Sequence, residues 1–426
     1  MRQVIIVAPW FPPSNLAAVH RSRYFAMYLP KFGWRVKVLT VKPSYYEERL
    51  DYELEKLLPP ELEMIRTKAL PIRPIRLIGD ISIRAFWWHY QELCRLVKKE
   101  RPHLIYVPIP PNYSAMLCYL IYHKFGIPYA IDYMDPWVYP FPDYNVLFSK
   151  RWLSYRLGRI LEPIILRHVN LITAVSPNTY KILLQRYSWL DESKCIAIPM
   201  GAEEKEYQYL DRNPRPAYLF NPDDGNLHIV YAGGVPPKFH PALYALFEAT
   251  TIFKKRYPEL FQKIKFHFIG TGSRYTDPKS FNVKPLAKRY NLLDIVSEYP
   301  GRIAYLDVLN HLRHANVVLI LGSPEPHYTP SKVFQAVLSQ RPVIAILHQK
   351  STAVSILKDA NAGRVVTFDE TKPVDRCIDE IAEAIYQEVN NIYLPDKINW
   401  EIFRAYSAEA MTRKLAEAFD SVLNTN

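Results

Sequence analysis

The residues best suited to gripping a charged ligand are a few glycines set close to cations. The chain has only 13 glycines against 36 prolines, so a glycine cluster after an apolar run marks a place where the backbone must approach something closely. Gly233 and Gly234 end the run His228 to Ala232, and Lys238 follows. Such a turn lets main-chain N–H groups reach a diphosphate that the ammonium neutralises; a tight strand-to-helix turn with a solvated lysine is the alternative. Gly270 and Gly272 follow the run Ile264 to Ile269, but Tyr275 stands where a dinucleotide fingerprint needs its third glycine, leaving a structural turn and a ligand loop both open. In Tyr328-Thr-Pro-Ser-Lys, Thr329 reads as a helix N-cap and Pro330 as the first helical residue, which turns the N–H groups of Ser331 and Lys332 outward. That end attracts phosphate, and Lys332 adds a full charge, although a well-capped structural helix has the same local sequence.

A second set lies earlier in the chain. Asp132 and Asp135, three apart at the end of the run Tyr129 to Tyr133, could orient an acceptor hydroxyl or take its proton. Capping a helix before Pro136 and pairing with a basic neighbour is their structural alternative. Asn15 and Arg21, in or beside the first loop, are placed to border the same acceptor site. No metal site is expected: His20, His103, His311 and His314 lack ligand spacing, and the sequence contains no Asp-x-Asp. Cys94, Cys118, Cys195 and Cys377 are too scattered for zinc or a disulfide framework.

These residues need rigid elements behind them. Short Val/Ile-rich runs alternate with amphipathic stretches throughout, the pattern of buried parallel strands joined by helical crossovers. Together with the length of 426 residues this predicts two α/β, doubly wound, Rossmann-like domains facing a central cleft. The expected boundaries are 1–208 for an acceptor-binding domain, 209–226 for a linker rich in Pro, Asn and Asp, 227–398 for a donor-binding domain, and 399–426 for a C-terminal helix returning toward the first domain. Open parallel sheets bind ligands at the carboxyl ends of their strands, where the glycine turns fall. A nicotinamide-dependent dehydrogenase is disfavoured, because the first strand is followed by no glycine-rich turn.

The net charge is +12, of which roughly +9 lies in the first 210 residues, most clearly from Arg66 through Arg101. No zinc-finger spacing, ribonucleoprotein signature or basic heptad accompanies it, so an anionic membrane or a phosphate-bearing acceptor is a better partner than nucleic acid. Arg84-Ala-Phe-Trp-Trp-His-Tyr with Lys98-Lys-Glu-Arg reads either as an interfacial helix or as a crossover helix with a solvated tail. The opening run Val4 to Ala8 is too short for a signal-peptide core, and no run of about 18 apolar residues exists. A cytoplasmic location is expected, with peripheral contact at the inner face of the membrane.

In order along the chain, Pro9-Trp-Phe-Pro-Pro-Ser-Asn, Asp132-Tyr-Met-Asp-Pro-Trp, Val175-Ser-Pro-Asn, Ile198-Pro-Met-Gly, Tyr231-Ala-Gly-Gly, Gly270-Thr-Gly, Pro300-Gly-Arg-Ile and Pro330-Ser-Lys resemble the family 4 glycosyltransferases and their relatives. The resemblance implies the GT-B architecture and a retaining, metal-independent transfer of a hexose or N-acetylhexosamine from a UDP- or GDP-linked sugar, with no other cofactor. The acceptor it implies is a glycan, lipid-linked or cell-surface precursor. It places the diphosphate on Gly233, Gly234, Lys238, Ser331 and Lys332, and the base on the loop holding Arg302 and Ile303. Where the family carries two glutamates, for the donor sugar and the ribose, this sequence has His327 and Gln335. Gln335 can still bond ribose hydroxyls, and Glu325 is a nearby carboxylate able to replace the first. The same departure motivates an alternative, a degenerate GT-B protein that binds a nucleotide sugar or a partner without turnover.

Overall fold

The computed structural model describes residues 1–72, 78–139, 147, 149–272, 280–390 and 395–424. Two compact units emerge, one formed by Met1–Met200 with Ala408–Asn426 and the other by Gly201–Ser407.

In the first unit, β1 (Arg2–Val7), β2 (Trp34–Val41), β3 (Glu63–Thr67), β4 (Leu104–Ile109), β5 (Tyr129–Tyr133), β6 (Leu171–Ala174) and β7 (Cys195–Ala197) form a parallel sheet in the order β3-β2-β1-β4-β5-β6-β7. The crossovers run through α1 (Ala17–Tyr28), α2 (Ile81–Glu100), α3 (Ala115–Phe125), α4 (Lys150–Leu166) and α5 (Pro177–Arg186). Local chemistry sets their starts. Asp80 accepts the N–H groups of Ser82 and Ile83 at 2.8 and 3.2 Å, Ser149 accepts that of Trp152 at 3.1 Å, and Ser176 before Pro177 caps α5. Each such cap contributes about 1 kcal/mol. Central strands are apolar on both faces, as helix-covered parallel strands must be, and Leu93, Leu96, Leu117, Ile121 and Ile165 from α2, α3 and α4 pack with Ile105, Val107 and Ile131 of the sheet.

In the second unit, α6 (Glu204–Arg212) precedes β8 (Leu227–Ala232), α7 (His240–Arg256), α8 (Pro258–Lys263), β9 (Ile264–Ile269), α9 (Lys284–Arg289), β10 (Val296–Tyr299) and α10 (Tyr305–Arg313). There follow β11 (Val317–Leu321), α11 (Lys332–Leu338), β12 (Val343–His348), α12 (Thr352–Asp359), β13 (Arg364–Phe368), α13 (Ile378–Asn390) and α14 (Trp400–Arg404). The strands pair in parallel in the order β10-β9-β8-β11-β12-β13. A core of Phe247, Phe253, Phe266, Phe268, Leu319 and Ile385 links α7 and α13 to this sheet.

Residues 209–226, expected as a linker, are part of the second unit. Their turn formers shape a strap whose backbone is tied down: Tyr299 Oη donates to the Leu219 carbonyl at 2.6 Å, the Leu219 N–H donates to His311 Nε2 at 3.2 Å, and Phe220 stacks on His228 at 4.6 Å. The units divide instead at Met200 and at Ser407. The single C-terminal helix expected over 399–426 is two, α14 and α15 (Ala408–Asn424), and between them residues 405–407 pair with the segment after β7, the Ala202 N–H donating to the Tyr406 carbonyl at 2.9 Å. In the first unit α15 packs on α1, with Phe419 edge-on to Trp34 and Tyr106 at 5.3 Å each and Asp420 accepting Trp34 Nε1 at 2.9 Å. No described helix is long and apolar enough to cross a membrane.

Candidate functional site

The second sheet sets the carboxyl ends of β10, β9, β8 and β11 side by side, and strand order reverses between β8 and β11. That reversal is where open sheets leave a crevice for a ligand. Arg302 and Ile303 follow β10, Gly270 and Gly272 follow β9, Gly233 and Gly234 follow β8, and Glu325, His327, Thr329 and Ser331 follow β11. The fold therefore gathers residues spread over a hundred positions onto one edge.

Lys332 crosses the reversal point. Its ammonium donates to Tyr231 Oη at 2.7 Å and sits 3.9 Å from the centre of that ring, while Tyr231 Oη donates to the Gly234 carbonyl at 2.8 Å. Gly233 adopts φ +132°, a conformation suited to glycine, and a Cβ there would come within 2.7 Å of the Lys332 nitrogen and push the ammonium aside. Burial, reinforced by the charge of Arg302, pushes the Lys332 pKa down to about 7. Lys332 thus sits beside the glycine turn within the field of Arg302, an arrangement that an anion would complete electrostatically.

Lys238 is held differently. It donates to Glu325 Oε2 at 2.6 Å, and Ser323 Oγ donates to the same oxygen at 3.0 Å. The expected phosphate cation and the expected replacement carboxylate therefore neutralise each other. Gln335 is buried on α11, its Nε2 donating to Tyr305 Oη at 3.4 Å, and Tyr305 in turn donates to the buried Glu206 at 2.6 Å. His327 is buried in the β11–α11 loop.

Two local expectations change. The helix after Pro330 begins at Lys332, with Ser331 in the cap position and no side-chain cap, and Thr329 Oγ1 is buried without a hydrogen-bond partner, so Thr329 is not the N-cap. The Gly270–Gly272 turn is a structural knot. Gly270 (φ +73°) donates to the Tyr299 carbonyl at 2.7 Å, Gly272 to that of Pro300 at 3.0 Å, and Thr271 Oγ1 to Glu298, which also accepts three N–H groups at the start of α9. Both glycine N–H groups are thereby engaged by backbone carbonyls. Tyr275 lies outside the described residues.

In the first unit the structure separates what spacing had grouped. Arg21 and Asp132 are fully buried and form a bidentate pair at 2.5 and 2.8 Å, with Arg21 also donating to the Ile198 and Pro199 carbonyls and Thr173 Oγ1 donating to Asp132 at 2.6 Å. The Asp132 charge holds the Arg21 pKa up despite the burial that opposes it. Both are buried and fully hydrogen-bonded within the core of the first unit. Asp135 is exposed just past β5, and Asn15 lies in the loop after β1, beside the reversal point between β1 and β4. Among the described residues, no three His, Cys, Asp or Glu are placed to hold a metal ion. Sequence reasoning missed Tyr231, Tyr305 and Glu206; a tyrosine at the carboxyl end of a strand that runs into Gly-Gly was the available signal for the first.

Two doubly wound parallel sheets in one chain, the second carrying cations and glycines at its reversal point, define the GT-B class of fold. Residues 18–206 match the sequence profile of Glycosyltransferase Family 4, covering most of the first unit. No curated protein matches significantly. Among solved structures, the chain is similar to sucrose-phosphate synthase from Thermosynechococcus elongatus, at 16% identity and a TM-score of 0.65 over 100% of both chains. HepE of Anabaena, in complex with UDP and glucose, is 13% identical with a TM-score of 0.65 over 99% of this chain and 100% of that one. A glycosyltransferase from Rickettsia africae is 15% identical with a TM-score of 0.62 over 100% and 99%. At these identities the likeness is one of fold.

Proposed function

We infer that the protein is a glycosyltransferase that moves a hexose or N-acetylhexosamine from a UDP- or GDP-linked sugar to a glycan or lipid-linked acceptor on the cytoplasmic side of a membrane. The observation that carries this reading is Lys332, desolvated beside Arg302 at the Gly233–Gly234 turn. When the bond from the anomeric carbon to the diphosphate breaks, charge accumulates on the leaving oxygen, and a preorganised ammonium with main-chain N–H groups stabilises it without a metal. The family 4 match of residues 18–206 and the UDP and UDP-glucose complexes of HepE support the donor class. A retaining outcome and the absence of further cofactors follow from the family resemblance. Asp135, exposed at the carboxyl end of β5, is the acceptor-side carboxylate that remains accessible to a hydroxyl.

Incubation with UDP- and GDP-linked hexoses and N-acetylhexosamines, followed by assay of free nucleoside diphosphate, tests the proposal. Sustained release that Lys332→Ala lowers roughly 10²–10³-fold is expected. Full activity in that variant removes Lys332 from the mechanism. A second reading, nucleotide-sugar binding without turnover, is favoured by the Lys238–Glu325 pair at 2.6 Å, which leaves the replacement carboxylate already engaged. Ligand-induced thermal stabilisation with no nucleotide release under any donor would establish it.

A further inference from the structure

Helix α4 has two apolar faces, and the core uses one. Gly158, Glu162, Ile165 and Leu166 are buried against the first unit. On the other side Leu153, Leu157, Ile160 and Ile164 recur at steps of four, three and four, which at about 100° per residue confines them to a stripe about 60° wide. They are 52%, 37%, 58% and 38% exposed. An aliphatic ridge of this kind on a soluble surface marks an interaction site.

The exposed charges on α4 itself have one sign. Lys150, Arg151, Arg156 and Arg159 are all exposed, and Arg167 continues the row past the helix end. The one acid of α4, Glu162, is buried, accepting from Arg186 at 2.6 Å, Tyr187 at 2.9 Å and Tyr133 at 3.2 Å. Every charge that α4 shows to solvent is therefore positive. The neighbouring helix α3 packs against both α4 and α2, and α2 exposes Ile83 (37%) and Trp87 (60%) in the same helical layer.

We propose that α4 docks the first unit on an anionic bilayer, with Leu153, Leu157, Ile160 and Ile164 entering the headgroup–acyl boundary and the flanking lysine and arginines pairing with lipid phosphates. An apolar stripe bordered by Lys and Arg is the chemistry of a helix lying in that interface. A protein partner fits less well, because a stable protein interface recruits about 20–30 residues a side and this ridge is one helix wide. The proposal does not depend on the transfer reaction.

Co-sedimentation of the full chain with vesicles of phosphatidylcholine, alone or mixed with phosphatidylglycerol, tests it. Binding to the mixed vesicles, at least tenfold weaker on the neutral ones and weakened by salt, is expected. Arg156→Glu with Arg159→Glu should lower it by roughly fivefold or more per cation replaced. Leu157→Asp with Ile160→Asp should lower it at least tenfold, whereas Leu293→Asp, at an exposed leucine of the second unit, should not. Melting temperatures matching the parent protein exclude misfolding as the cause. Absence of binding to anionic vesicles overturns the proposal, as does binding that survives the double aspartate variant. So does a dimer in light scattering that the same variant dissociates, since the ridge would then join two copies.

Discussion

Lys332 and Gly233 constrain each other, and the consequences can be read separately. The free ammonium has a pKa near 7, held there by burial and by Arg302, and a bound diphosphate would raise it. Diphosphate affinity is then full below pH 7 and falls as pH rises through and beyond it, by up to about tenfold per unit. Calorimetric titration of UDP or GDP at pH 6.5 and 8.5 should show this slope together with proton uptake at the higher pH, and Lys332→Ala should lose both. Gly233→Ala puts a side chain at φ +132° and against the ammonium, so it should cost about 1–3 kcal/mol in urea unfolding and lower turnover as Lys332 is displaced from Tyr231. Lys332 and Gly233 were singled out from their types alone. Their partnership was not, because a contact between residues a hundred positions apart depends on β8 and β11 being neighbours in the sheet. The same limit applies to Lys238 and Glu325, each assigned a ligand when each has the other.

Among the elements, the Arg21–Asp132 pair is a fastener between α1, β5 and the segment after β7. Asp132→Asn should cost about 3–5 kcal/mol by chemical denaturation, because it leaves the Arg21 guanidinium buried without a counter-charge. A variant that keeps its stability yet loses transfer would restore Asp132 to the acceptor site. The runs Val4 to Ala8, Tyr129 to Tyr133, His228 to Ala232 and Ile264 to Ile269 match β1, β5, β8 and β9 to within about two residues. Periodicity passed over β3 and β10, one of the two edge strands of each sheet, whose sequences Glu63-Met-Ile-Arg-Thr and Val296-Ser-Glu-Tyr mix polar and apolar residues. The strap 209–226 was misplaced for a related reason: Pro, Asn and Asp report where a chain bends, not whether the bent segment packs.

For the molecule as a whole, acid should be a denaturant of both units. His89 on α2 and His267 on β9 are buried rings whose pKa values burial pushes down to about 4, with the charge of His228 adding to the effect at His267. The unfolded chain takes up those protons near pH 6.5. Stability owed to the neutral rings is thus complete above pH 6.5 and is lost as pH falls toward 4, by about 1.4 kcal/mol per unit for each ring. Urea midpoints between pH 7 and 4.5 should decline on this slope, and His89→Leu should flatten the share belonging to the first unit.

The placement of α15 carries one more consequence, for the order in which the chain can be finished on the ribosome. Gly201–Ser407 is contiguous and has every strand and helix it needs as soon as it leaves the exit tunnel. The earlier-made Met1–Met200 must wait, with Trp34 and Tyr106 lacking Phe419, until α15 has been translated. Vectorial synthesis ordinarily lets the amino-terminal half fold first. Here the half that is born first is completed last, and a nascent chain stalled before Ala408 should resist protease in its later portion while its opening portion is still cut.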